Sequence, residues 1–129
     1  MALAEELVGV GVPPGQAIVM ANGTVAAVTA TTSSAQATAT TLKAGINRVT
    51  GSDGVKLPAC NAGSSVIVIN DTGSSIKVFP PTGGAIQIPG TSFGLAVVNT
   101  ETTQTLFSTI EYICVIAGAS SLWAINKSA

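Results

Sequence analysis

Six carboxylates, two thiols and no histidine are what this sequence offers for chemistry. The carboxylates are Glu5, Glu6, Asp53, Asp71, Glu101 and Glu111. A serine or cysteine nucleophile needs an adjacent base, and histidine is the usual one. Here a carboxylate or lysine would have to replace it. Asp53 and Asp71 stand beside glycines in Asp53-Gly54 and Asp71-Thr72-Gly73, where an aspartate side chain typically bonds its own backbone. Glu101 falls in a polar loop and Glu111 opens an apolar run. No pair has the setting of a general acid facing a general base, so the expectation is a chain that is not an enzyme and has no catalytic residues.

The thiols are Cys60 and Cys114. Cys114 lies within Tyr112-Ile113-Cys114-Val115-Ile116 and reads as a buried strand residue. Cys60 follows Leu57-Pro58-Ala59. The first reading is two free thiols serving as small apolar side chains, with a disulfide between them as the alternative. Two sulfurs without histidine cannot complete a tetrahedral zinc shell, so no metal site is expected. Gly83-Gly84 and Gly51-Ser52-Asp53-Gly54 are turn glycines with no helix and lysine after them, which removes a phosphate cradle. No cofactor is expected. Trp123, Tyr112, Phe79, Phe93 and Phe107 fit a core better than a sugar-stacking platform.

The charges bound the partners. Charged residues make up 9% of the 129 residues, against about 25% in ordinary soluble domains. The five basic residues, Lys43, Arg48, Lys56, Lys77 and Lys127, are scattered. A nucleic-acid or anionic-membrane surface needs them clustered, so neither partner is expected. A surface so poor in charge has little protection against self-association. Its burial against further copies of the chain, or against another subunit, is the simplest resolution. No apolar run reaches the roughly 18–20 residues that span a bilayer. Met1-Ala2-Leu3-Ala4-Glu5-Glu6 lacks the basic start of a signal peptide, so synthesis in a cytoplasm without its own export signal is expected.

The elements that would carry these residues are short. Residues 1–22 read as an N-terminal arm, helical or irregular, in which Leu3 and Leu7 share a face and Val10, Val12, Pro13 and Pro14 follow. Those six residues are the candidate partner contacts. Residues 23–129 read as one β domain. Ala35, Ala37 and Ala39 alternate with polar residues across 35–41, a strand with one flat alanine face, and are the candidate oligomer contacts. Val55-Lys56-Leu57-Pro58 reads as an edge piece. Ser65-Val66-Ile67-Val68-Ile69-Asn70 reads as a central strand, with Ile76-Lys77-Val78-Phe79 returning beside it as a hairpin. Residues 44–50, 85–88, 93–98, 104–107, 110–116 and 121–125 are the other expected strands. The fold class expected is all-β, an antiparallel β-sandwich or open barrel of short strands. No fixed-period repeat stands out, so neither a solenoid nor a propeller is expected.

From residue 53 onward the order of pieces resembles a known group. Asp53-Gly54-Val55-Lys56-Leu57-Pro58-Ala59, then Ser65 to Asn70, then Ile76-Lys77-Val78-Phe79-Pro80-Pro81-Thr82-Gly83-Gly84-Ala85-Ile86 and the closing Ile113 to Gly118 with Trp123 are similar to small virion proteins of tailed bacteriophages, including capsid decoration or cement proteins. Leu7-Val8-Gly9-Val10-Gly11-Val12-Pro13 also resembles the start of such proteins. The resemblance implies a β-rich homotrimer on the outer capsid surface of the virion, with the major capsid protein as partner. The thread it leaves open is a tail-fibre or adhesin domain that binds a host surface carbohydrate. The longer, threonine-rich loop at 99–105 departs from the group.

Overall fold

The computed structural model describes residues 25–32, 35–88 and 90–127. The candidate partner contacts Leu3, Leu7, Val10, Val12, Pro13 and Pro14, with the rest of the 1–22 arm, lie outside the described residues.

Ten strands form two sheets among the described residues. They are β1 Val25–Ala30, β2 Thr40–Thr41, β3 Gly45–Gly51, β4 Gly54–Lys56, β5 Ser65–Asn70, β6 Ile76–Phe79, β7 Ala85–Ile86, β8 Thr102–Gln104, β9 Thr109–Ile116 and β10 Leu122–Lys127. The six-stranded sheet runs β1-β3-β5-β9-β10-β7 and the four-stranded sheet β2-β4-β6-β8. Up to β6 the chain alternates between the sheets, one strand in each. Successive strands of the same sheet are therefore parallel: β1 with β3, β3 with β5, β2 with β4 and β4 with β6. In the larger sheet Val25 faces Ile46, and Ile46 faces Ile67. In this sheet each step thus advances 21 positions, 25 to 46 to 67. The second half closes this coil with antiparallel neighbours, β9 beside β5 and β10, and β8 beside β6.

The strand-rich fold class agrees with the sequence reading, and the antiparallel topology does not. Five of the eight pairings are parallel. The expected hairpin of β5 with β6 is absent because Asp71–Ser75 carries the chain from one sheet to the other. Its entry is set by Asn70, which is fully buried. The Asn70 amide nitrogen donates to the carbonyls of Ser74 and Thr105, each at 2.9 Å, and its oxygen accepts from the Thr72 hydroxyl at 2.7 Å. A short stack of coils stands where no solenoid was expected. The spacing is regular only in the larger sheet; in the smaller sheet Thr40 faces Val55 and Val55 faces Val78, steps of 15 and 23 positions.

One apolar cluster draws on both sheets. β1, β3, β5, β9 and β10 contribute Val28, Val49, Val66, Val68, Ile110, Tyr112 and Trp123, and β4 and β6 contribute Val55, Ile76 and Val78. The inward positions recur with period two, as pleating requires. In β9 they are Ile110, Tyr112 and Cys114. β5 is central, as expected. β4 is not an edge piece, since it lies between β2 and β6. Gln104 of β8 spans the core. Its amide donates to the Val68 carbonyl at 2.8 Å and the Ser108 carbonyl at 3.0 Å, and it accepts from the Tyr112 hydroxyl at 3.1 Å.

Three further expectations need correction. The strand expected at 104–107 lies instead at Thr102–Gln104, and the chain turns after it, with Phe107 at φ 50°. Residues 35–39 form a turn, with the Ala39 amide bonded to the Ala35 carbonyl, and only Thr40–Thr41 is strand. Alternating alanine and threonine lack the apolar bulk to hold a strand on the core. Residues 93–98 form no extended strand either. Ser92 caps a single 3-10 turn, Phe93–Leu95, by accepting from the Gly94 amide at 3.2 Å, and Val98 makes only an isolated bridge to Ala85.

Candidate interaction surface

The segment from Ile88 to Val98 holds large apolar side chains out of the core. Leu95 is 60% exposed, Val98 57% and Val97 56%, with Ile88 and Phe93 also exposed. No charged residue occurs between Lys77 and Glu101. Leaving such residues in water forgoes roughly 1.5–3 kcal/mol for each side chain that burial would recover. Several large apolar side chains exposed within one uncharged segment make it a candidate contact site.

Both ends of the segment are anchored, so the patch is presented by a built loop. At its start, the Thr91 hydroxyl and amide both donate to the Ile88 carbonyl, at 2.6 and 3.0 Å. At its end, the Asn99 amide donates to the Gly84 carbonyl at 2.8 Å, and the Asn99 side-chain oxygen accepts from the Gly83 amide at 2.7 Å. Asn99 has φ 61°, a left-handed conformation asparagine tolerates better than most residues. Gly83 is required here. It has φ 85°, and a Cβ on it would strike the backbone carbonyl of Ala119. Ile86, Gln87, Ile88 and Val97, with Thr100, Glu101, Thr102 and Thr103, line an open cleft of about 270 Å³.

The structure brings two of the three candidate oligomer contacts beside this loop. Gln36 donates to the Asn99 side chain at 3.1 Å and to the Pro80 carbonyl at 2.8 Å. Its neighbours Ala35 and Ala37 are exposed. Ala39 is 6% exposed and belongs to the interior, so it is removed from the contact set as a correction. The loop residues themselves were missed by the sequence reading, which placed 93–98 in a strand. The signal available was punctuation: Pro89-Gly90-Thr91-Ser92 before the run, Gly94 inside it and Asn99 after it.

A second surface is the outer face of the six-stranded sheet. Ile46, Ile67, Ile69 and Ile113 point away from the core and are half-buried, and Val115 is exposed. Among the described residues no layer covers this face. The charges on it are few. Arg48 pairs with Asp71 at 2.6 Å on the exposed rim, and Glu111 accepts from the Asn126 amide at 3.1 Å. An exposed pair of this kind contributes at most about 1 kcal/mol.

Among the described residues, those weighed for chemistry are dispersed or structural; Glu5 and Glu6 lie outside the described residues. Asp71 serves the ion pair, Glu111 the Asn126 hydrogen bond, and Glu101 the rim of the cleft. Phe79, Tyr112 and Trp123 are core residues, while Phe93 and Phe107 are exposed. The five aromatics therefore form no shared platform. Both cysteines are free thiols. No family model and no curated protein sequence matches the chain.

Proposed function

We propose that this chain is a non-enzymatic structural virion protein of tailed bacteriophages: a capsid decoration or cement protein that sits as a homotrimer on the outer surface of the head and stabilises contacts between major capsid subunits. The observation that carries the reading is the anchored, uncharged apolar loop at 88–98, flanked by Ala35 and Ala37 on a body with 9% charged residues. A cement trimer needs two surfaces, one for its own copies and one for the capsid. The loop with Ala35 and Ala37 is assigned to trimer contact. The outer sheet face around Ile67 and Val115, together with the 1–22 arm, is assigned to the major capsid protein. The core shared by both sheets supports a sandwich-like body rigid enough to hold the two surfaces at fixed positions.

Light scattering of the purified chain at micromolar concentration tests the trimer, and a stable monomer would refute it. Leu95→Asp should leave folding intact, because the side chain is mostly in solvent, and shift the trimer to monomer. The tail-fibre reading has Phe93 and Phe107 as its exposed aromatics. Copy number in purified particles separates the two: hundreds of copies fit cement and a few fit a fibre.

A further inference from the structure

Cys114 faces inward from β9 and is buried. Leu57–Ser64 is the crossover that takes the chain from β4 in the smaller sheet to β5 in the larger. This crossover is laced to Cys114 by main-chain bonds. The Gly63 amide donates to the Cys114 carbonyl at 2.7 Å, and the Cys114 amide donates to the Ser64 carbonyl at 2.9 Å. The Cys114 sulfur lies 3.8 Å from the Cys60 carbonyl oxygen. Cys60 is half-buried and packs on the same apolar cluster that contains Cys114. The two cysteines are 54 positions apart in sequence and neighbours in the fold.

We propose that Cys60 and Cys114 form an intrachain disulfide when the folded protein meets a small-molecule disulfide, and that this bond fastens the crossover to β9. With oxidised glutathione the thiolate of the accessible Cys60 attacks one glutathione sulfur and expels a glutathione thiolate. The resulting mixed disulfide is then attacked at the Cys60 sulfur by the Cys114 thiolate, which expels the second glutathione. Two protein thiols lose two protons and two electrons, and one glutathione disulfide becomes two glutathione thiols. The thiolate is the attacking species in both steps. Burial pushes both thiols above their ordinary range, and the neighbouring Cys114 pushes Cys60 further. The exchange is therefore slow near neutrality and quickens with rising pH. A bond closing a loop this long mainly restricts the unfolded chain. The inference is independent of the virion reading.

The test is to incubate the folded chain with oxidised glutathione at alkaline pH, then measure intact mass, free thiols and a peptide map. The expected product has lost two hydrogens, has no titratable thiol, links the Cys60 and Cys114 peptides within one chain, and melts roughly 5–10 °C higher, reversibly on reduction. Cys114→Ser should stop at a stable glutathione adduct on Cys60, and Cys60→Ser should remain unmodified. Should either variant fail to fold, the wild-type mass and map decide alone. The urea-unfolded chain, oxidised in parallel, shows that the reagent is competent. Two thiols persisting in the folded chain, a lasting adduct on wild-type Cys60, or links only between chains would each overturn the proposal.

Discussion

Gln104 shows what one polar side chain does inside an uncharged core. It satisfies two carbonyls and one hydroxyl, and these come from β5, the turn before β9, and β9 itself. Replacing it with methionine keeps the volume and leaves the buried Tyr112 hydroxyl without its acceptor, while the Ser108 carbonyl keeps the Asn70 amide at 2.8 Å and the Val68 carbonyl stays within the β5–β9 ladder. Leaving buried polar groups unpaired costs about 1–3 kcal/mol each, less where water enters. Gln104→Met should therefore lower the urea midpoint by an amount equivalent to about 1–3 kcal/mol, and a change below about 0.5 kcal/mol would show that the bridge is dispensable. Tyr112 makes a related prediction for pH. Burial raises its phenol well above the ordinary value of 10.0. The folded state then holds the proton more tightly than the unfolded state does. Its contribution is complete below the unfolded pKa and is lost as pH climbs from there toward the folded one. Tyrosinate absorbance should accordingly appear only together with alkaline unfolding. Smooth titration of a still-folded chain near the ordinary value would contradict the burial.

At the scale of elements, the Gly83 turn sets how the apolar loop is held. Gly83→Ala meets both a left-handed φ and the Ala119 carbonyl, and it disturbs the amide that holds Asn99. A loss of about 2 kcal/mol or more is expected in equilibrium unfolding, with impaired self-association as the second readout. What the sequence made legible at this scale is strand existence. β5 and β9 declare themselves through β-branched residues and the inward series Val66, Val68, Asn70 and Ile110, Tyr112, Cys114, and β10 through Leu122, Trp123 and Ile125 after a turn. Sheet membership was not legible, because a five-residue polar link such as Asp71–Ser75 suits a hairpin and a sheet-to-sheet turn equally well. The difference lies in where the Asn70 side chain finds its carbonyls, at Ser74 and across the chain at Thr105. The 21-position step of the larger sheet was hidden for a related reason. Ile46 and Ile67 match, yet Asn47 stands beside Val68 and Arg48 beside Ile69. The apolar loop misled because Phe93, Leu95 and Val97 alternate with small residues like a buried strand. Whether such a run is covered depends on chain that is distant in sequence.

For the whole molecule, the scarcity of charge determines how it should associate. With 5 basic and 6 acidic residues in the sequence, neither of the two proposed contact surfaces can rest on a field of ion pairs. The loop contributes Ile88, Phe93, Leu95, Val97 and Val98, and the sheet face contributes Ile67, Ile69, Ile113 and Val115. Burying apolar area gains about 25 cal/mol per Å² and is not screened by salt, whereas exposed charge pairs weaken as the screening length falls to about 10 Å at 0.1 M. A trimer that binds only joined capsid subunits opposes their separation by mass action, and its linked contacts reinforce one another through effective concentration. Each contact can then be modest while the assembly holds. Particles carrying the protein should release DNA at a higher temperature than particles lacking it, and raising the salt from 0.05 to 0.5 M (about a threefold change in screening length) should leave that difference nearly unchanged. Equal release temperatures would remove the cement role. Dissociation of the protein at moderate salt would keep the role and replace its mechanism with ion pairing, which the Arg48–Asp71 rim pair alone is too weak to supply.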